Sequence, residues 1–221
     1  AVAAPAAAAA APAPAEAANT NPVAPPQGPA PVEGSDYTLL GEGQTFDPAD
    51  GRVEVAEVFN YICPACAAFQ PAFDAWKAKL PADVRVVLVP AQFRDDFRNY
   101  AKVYYAAEAL GVAARTHDAM YQAIHQDKTL PGEGEPFDLD KVAQFYQAQA
   151  GIDPATFKQT YASFAVAGKL GKANQFALRS QIAGTPSIVI AGKYLVKGKT
   201  YDDALRIADH LIARERAAGT H

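Results

Sequence analysis

The chain has 221 residues, 50% of them hydrophobic, and sets 20 Lys plus Arg against 24 Asp plus Glu for a formal charge of -4 at pH 7. That length and apolar content supply a core for one or two domains, while the modest acidic balance leaves no electrostatic footprint for nucleic acid or an anionic membrane. No stretch of roughly 20 uninterrupted apolar residues offers a membrane-spanning helix.

Residues 1–34 are mostly Ala and Pro, without an aromatic side chain. Such a segment buries too little surface to offset its ordering entropy, so it is read as a disordered tether. The start lacks Met, a basic region and a leucine-rich run, and an alanine-rich beginning is what cleavage of an export signal leaves, so a removed signal peptide is expected. "YTLLGEG" and "GRVEVAEVFNY" then give two strands bounded by Gly and Asp, the second buried over Val53 to Phe59. A helix is predicted over 64–80, with Phe69, Phe73, Trp76 and Leu80 on one face. "VRVVLVP" reads as a third strand covered on both faces.

From Phe97 the period is helical throughout, with helices predicted near 97–110, 112–127, 138–149, 153–161 and 164–182 and with Asp138 and Asp153 as caps. "PSIVIAGKYLV" is a hairpin turning at Ala191 to Lys193, and a final amphipathic helix follows, capped by Thr200 with Asp203 completing an acidic capping box. The predicted division is a tether over 1–34, an α/β domain over 35–96, a helical insertion over 97–183 and the return of the α/β domain over 184–221.

The chemistry centres on "ICPAC", which holds both cysteines, Cys63 and Cys66. A closed zinc site wants four ligands, and no second cysteine pair or suitably spaced histidine exists, so no metal is expected. The histidines, His117, His125, His210 and His221, are read as surface residues. Two buried cysteines could merely pack as small hydrophobes, but position argues otherwise. Cys63 ends a strand and precedes Pro64, a residue favoured at the first helical position. It therefore sits where unpaired amides and the helix dipole favour a thiolate. Cys66, one turn on, is shielded and placed to resolve a mixed disulfide formed at Cys63.

Far downstream, "GTPSIVI" puts Pro186 directly before a central strand, where proline is tolerated only at a strand's first residue, an edge or a bulge. A cis Thr185–Pro186 bond is the expected solution, leaving the Thr185 backbone free to pair with an extended peptide beside Cys63.

With "EVFNYICPAC", a helical block and "GTPSIVI" before the last hairpin, residues 37–218 resemble the DsbA branch of the thioredoxin-like superfamily, periplasmic thiol:disulfide interchange proteins. The resemblance implies a thioredoxin-like α/β domain with an inserted all-helical domain, and donation of a disulfide to newly secreted, unfolded proteins with free cysteines. It implies reoxidation by a DsbB-type membrane quinone reductase, with no metal or organic cofactor on the chain. By position, Cys63 is the nucleophile, Cys66 the resolving thiol, and Thr185 with Pro186 the cis-proline pair.

Glu57 matches an acidic position beneath the disulfide in that family. Read from the sequence, it is either a carboxyl neutralised by burial that exchanges protons with Cys66 or a solvated strand-end glutamate. Ala65 stands where the best-known members carry histidine and cannot donate to the thiolate, so a less acidic Cys63 is expected. Tyr61, Ile62 and Ala65 are candidate substrate contacts, and Phe59 and Phe69 are assigned to the core. Lys193, Lys197 and Lys199 are read as guarding a sheet edge. A monomeric dithiol oxidase is the leading reading. The alternatives are a reductase or isomerase of the same fold, or a redox-switched peptide-binding or chaperone module.

Overall fold

The computed structural model describes residues 19–41 and 43–219. Its centre is a five-stranded sheet of β1 (Tyr37–Leu39), β2 (Val53–Phe59), β3 (Val84–Pro90), β4 (Ser187–Ile190) and β5 (Tyr194–Val196), in the order β1-β5-β4-β2-β3. β2 pairs parallel with β3 and antiparallel with β4, which places Glu57 between Leu88 and Ile188. α1 (Pro64–Lys77) makes the crossover from β2 to β3 and runs unbroken through Pro71, ending short of the predicted position 80. Five helices stand between β3 and β4: α2 (Asp95–Ala109), α3 (Ala113–His125), α4 (Leu139–Ala150), α5 (Pro154–Tyr161) and α6 (Phe164–Arg179). α7 (Tyr201–Ala218) closes the chain.

The alternation of β2 divides the core. Val53 and Val55 pack with Ile188, Ile190, Phe69, Phe73 and Leu211 beneath α1 and α7, whereas Ala56 and Val58 face the aromatic interior of the helical block. Both layers are needed because a central strand buried on two faces must be apolar on both. Trp76 ties α1 to α7 by donating Nε1–H to Asp209 at 2.8 Å.

The predicted caps hold. The Asp138 and Asp153 side chains accept from the amides of Lys141 and Thr156 at 3.0 and 2.9 Å. Thr200 accepts from the Asp203 amide at 3.1 Å, but the Asp203 carboxylate accepts from the Lys199 amide, one residue beyond the Thr200 amide that a reciprocal capping box would use. The hairpin turns through Ala191 and Gly192, both at positive φ, and a Cβ on Gly192 would lie 2.3 Å from the Gln44 backbone. Glycine is therefore required there for both conformation and space.

Three sequence expectations are corrected. β3 is the sheet edge, paired only with β2, and its faces are covered only in part: Val87 packs against one core layer and Val86 against the other, with Arg85 to Leu88 half-buried. A run of Val and Leu fixes a strand without fixing its place in the sheet. The lysines do not guard an edge, because β1 covers β5; Lys193 pairs with the buried Glu215 at 2.5 Å, and the Lys197 amide donates to Asp36 O at 2.8 Å.

Most of all, residues 19–34 are an ordered strap. The side-chain amides of Asn19 and Asn21 donate to Leu80 O at 2.9 and 3.0 Å, and Asn21 also donates to Ala78 O, so the strap satisfies carbonyls just beyond the end of α1. His210 and Arg206 of α7 bond to Gln27 O and Pro29 O. A proline-rich segment has few amides to satisfy and little conformational freedom to lose, so donors arriving from elsewhere suffice to hold it. The expected tether over 1–18 lies outside the described residues, as does His221. Among the described residues, no helix is long and apolar enough to cross a membrane.

Candidate active site

Cys63 is the N-cap of α1, in extended backbone (φ -77°, ψ 115°), with Pro64 at the first helical position. Its Sγ accepts from the Cys66 amide at 3.4 Å. Both cysteines are free thiols. The Thr185–Pro186 bond is cis, and Thr185 O accepts from Cys63 Sγ at 3.4 Å. The two segments, far apart in sequence, thus meet at the sulfur.

The sulfurs differ sharply. Cys63 is held well below the ordinary thiol range, at about 5, chiefly by the hydrogen bond with the Cys66 thiol. The Thr185 side chain and the backbone amides of Cys66 and Ala65 add to this effect, while desolvation opposes it. Cys66 is pushed far up by burial and by its bond to Cys63. The helix start contributes through those two amides, as the spacing implied, but the neighbouring thiol contributes more.

Glu57 is fully buried, which removes the solvated strand-end reading, and among the described residues neither carboxyl oxygen has a hydrogen-bond partner. Burial pushes its pKa up to about 8, with Lys77 lowering it and Asp74 raising it. The other buried acid of β2, Glu54, has partners: it accepts from Arg85 at 2.8 Å and from the amides of Phe46 and Asp47.

Tyr61 and Ile62 are not available to a substrate, being 1% and 0% exposed. Both residues before the cysteine turn inward to fill the junction between β2 and the helical block. Ala65 is exposed, and Phe59 and Phe69 are core. A groove of about 470 Å³ opens beside the cis proline, lined by Phe69, Pro186, Ile188, Thr200, Tyr201 and Ala204.

Four residues beside the dithiol were missed in the sequence. Asn60 donates to Ala91 O and Phe97 O at 2.8 and 2.9 Å and accepts from the Ile62 amide, fixing the turn that carries Cys63. His117, expected at the surface, is buried, with Nδ1 3.0 Å from the Tyr61 hydroxyl; burial lowers its pKa to about 4. His125 Nε2 lies 2.7 Å from Tyr61 O, which accepts only, so Nε2 carries the proton there. Tyr201 donates its hydroxyl to Ala65 O at 2.9 Å. Apart from the local bond between Asn60 and the Ile62 amide, these contacts span from 31 to 136 residues and have no local pattern to announce them.

Comparison with known proteins agrees with this geometry. Residues 54–208 match the DSBA-like thioredoxin domain family. The thiol:disulfide interchange protein DsbA of Pseudomonas aeruginosa is 37% identical over 172 residues, covering 76% of this chain and 78% of that one. The protein of the same name from Azotobacter vinelandii is 37% identical over 171 residues, covering 76% and 77%. Among solved structures, oxidoreductase DsbA from Xylella fastidiosa superposes with a TM-score of 0.81 at 42% identity, covering 85% of this chain and 98% of that one.

Proposed function

The chain belongs to the DsbA-like thioredoxin family, and from that premise we propose that it is a thiol:disulfide oxidoreductase whose Cys63–Cys66 disulfide is donated to newly exported, unfolded proteins with free cysteines. The observation that carries this reading is the placement of Cys63 at the N-cap of α1, its Sγ accepting from the Cys66 amide at 3.4 Å while Cys66 itself is fully buried, an arrangement that favours the anion at Cys63 and disfavours it at Cys66. A disulfide that opens to a stabilised thiolate is a strong oxidant, because whatever stabilises the reduced form raises the potential.

In the oxidised protein a substrate thiolate attacks Cys63 Sγ. The bond between the cysteines breaks, and Cys66 leaves with the electron pair, taking up a proton because its buried anion is disfavoured. A second substrate thiolate attacks the substrate sulfur of the mixed disulfide, and Cys63 departs as a thiolate. Two electrons pass to the protein, one substrate proton ends on Cys66 and the other in solvent, and the substrate keeps the new disulfide.

Glu57, protonated at neutral pH and without a hydrogen-bond partner among the described residues, is the proposed relay of the Cys66 proton: it gives its own proton to Cys66 and regains one from those that the substrate thiols release. Thr185 and Pro186, with exposed Ala65, form the proposed surface against which an extended substrate segment lies. Reoxidation is assigned to a DsbB-type membrane quinone reductase, and the compartment to the periplasm, in keeping with the family.

The test is the reduction potential of the pair against glutathione, together with turnover on a reduced, unfolded protein. A potential near about -120 mV with catalytic oxidation supports the reading; one near about -270 mV marks a reductase and overturns it. Binding of the unfolded chain without turnover would leave a peptide-binding module instead.

A further inference from the structure

Tyr201 opens α7, yet its hydroxyl donates to the carbonyl of Ala65, 136 residues upstream, at 2.9 Å. Its ring, 38% exposed, lies 5.0 Å from Phe69 at the rim of the groove beside Pro186. Ala65 O and the Cys66 N–H belong to one peptide unit, and that N–H donates to Cys63 Sγ at 3.4 Å. The chain of contacts therefore runs from the Tyr201 hydroxyl to a carbonyl, through its amide, to the sulfur.

A carbonyl that accepts an additional hydrogen bond polarises its amide, making the N–H a stronger donor and holding the peptide plane in place. A thiolate gains more from such a donor than a thiol does. Of the two residues between the cysteines, Pro64 and Ala65, neither has a side chain that can donate to the sulfur.

We propose that Tyr201 is a positioning residue for the nucleophile, acting through the Ala65–Cys66 amide to stabilise the Cys63 thiolate. The inference rests on the role proposed for Cys63.

Thiolate absorbance of the reduced protein near 240 nm, followed against pH, tests it on wild type, Tyr201→Phe and Tyr201→Ala. Tyr201→Phe keeps the ring on Phe69 and removes only the hydroxyl. It should make Cys63 a weaker acid by a factor of about 1.3 to 4.5, as expected for roughly 10–30% strengthening of a charge-assisted bond. The glutathione equilibrium at pH 7 should move by the same factor, towards a less oxidising disulfide, which a change confined to packing would not produce. An unchanged midpoint in Tyr201→Phe overturns the proposal, and so does a shift seen only in Tyr201→Ala, which would assign the effect to the ring. A wild-type midpoint at the ordinary thiol value of about 8.5 would instead remove Cys63 as the nucleophile, an outcome separate from either.

Discussion

Consider Glu57→Gln in the oxidised protein, where no Cys63 thiolate contributes to the pH dependence. The folded-state pKa of Glu57 is about 8 against an ordinary value of 4.5. Between those values the native state binds the proton and the unfolded state does not, so Glu57 lowers stability as pH rises. The stability it permits is fully present below pH 4.5 and lost on the way to pH 8. At pH 7 the interval above 4.5 is 2.5 units, and at about 1.36 kcal/mol per unit the cost is on the order of 3 kcal/mol. Glutamine has nearly the shape of the protonated acid and leaves an equally unpartnered group, so the two proteins should match near pH 4. At pH 7 the variant should be the more stable by about 3 kcal/mol. Urea unfolding of both oxidised proteins between pH 4 and 8 measures the difference, and groups common to both cancel. Stability curves that stay parallel across this range would refute the burial argument for Glu57.

Further outcomes follow from the same geometry. Cys66→Ser should accumulate mixed disulfides at Cys63, visible by non-reducing gel and mass spectrometry, because the resolving sulfur is gone; rapid release of substrate from that variant would contradict the assignment. Ala65→His places a donor beside the thiolate and should lower the Cys63 midpoint below that of wild type in the 240 nm titration. Asn60→Ala removes the donor to the buried Ala91 O and Phe97 O and the acceptor of the Ile62 amide, a loss of about 2–4 kcal/mol in chemical denaturation. Arg85→Ala removes the cation paired with the buried Glu54 and leaves it only the Phe46 and Asp47 amides; it should cost roughly 3–5 kcal/mol, partly recovered by Glu54→Gln in the double variant.

The parts of the site that lie close together in sequence were legible in it. A cysteine between a strand and Pro64 announces a helix start, and Pro186 before an apolar run announces a special peptide bond. Glu57 was visible as an acid in an apolar strand, but whether it was buried turned on its neighbours Leu88 and Ile188, one of which lies 131 residues away by the register of β2 with β4. Tyr61 and Ile62 looked like groove residues because proximity to Cys63 is a statement about the chain, while side-chain direction is decided by the turn that Asn60 fixes. His117 gave no sign of its pairing with Tyr61, since a lone histidine on a helix reads alike whether it faces water or a tyrosine. The strap failed for another reason. Its composition was correctly judged too poor to build a core, but holding it needed only the donors of α7 and the carbonyls beyond α1.

That strap also sets an orientation. Asn19 is fastened beyond the C-terminal end of α1, and Cys63 stands at the other end of a 14-residue helix, a separation of roughly 20 Å. A label or bead coupled at Asn19 itself would therefore sit at the opposite end of α1 from the sulfur.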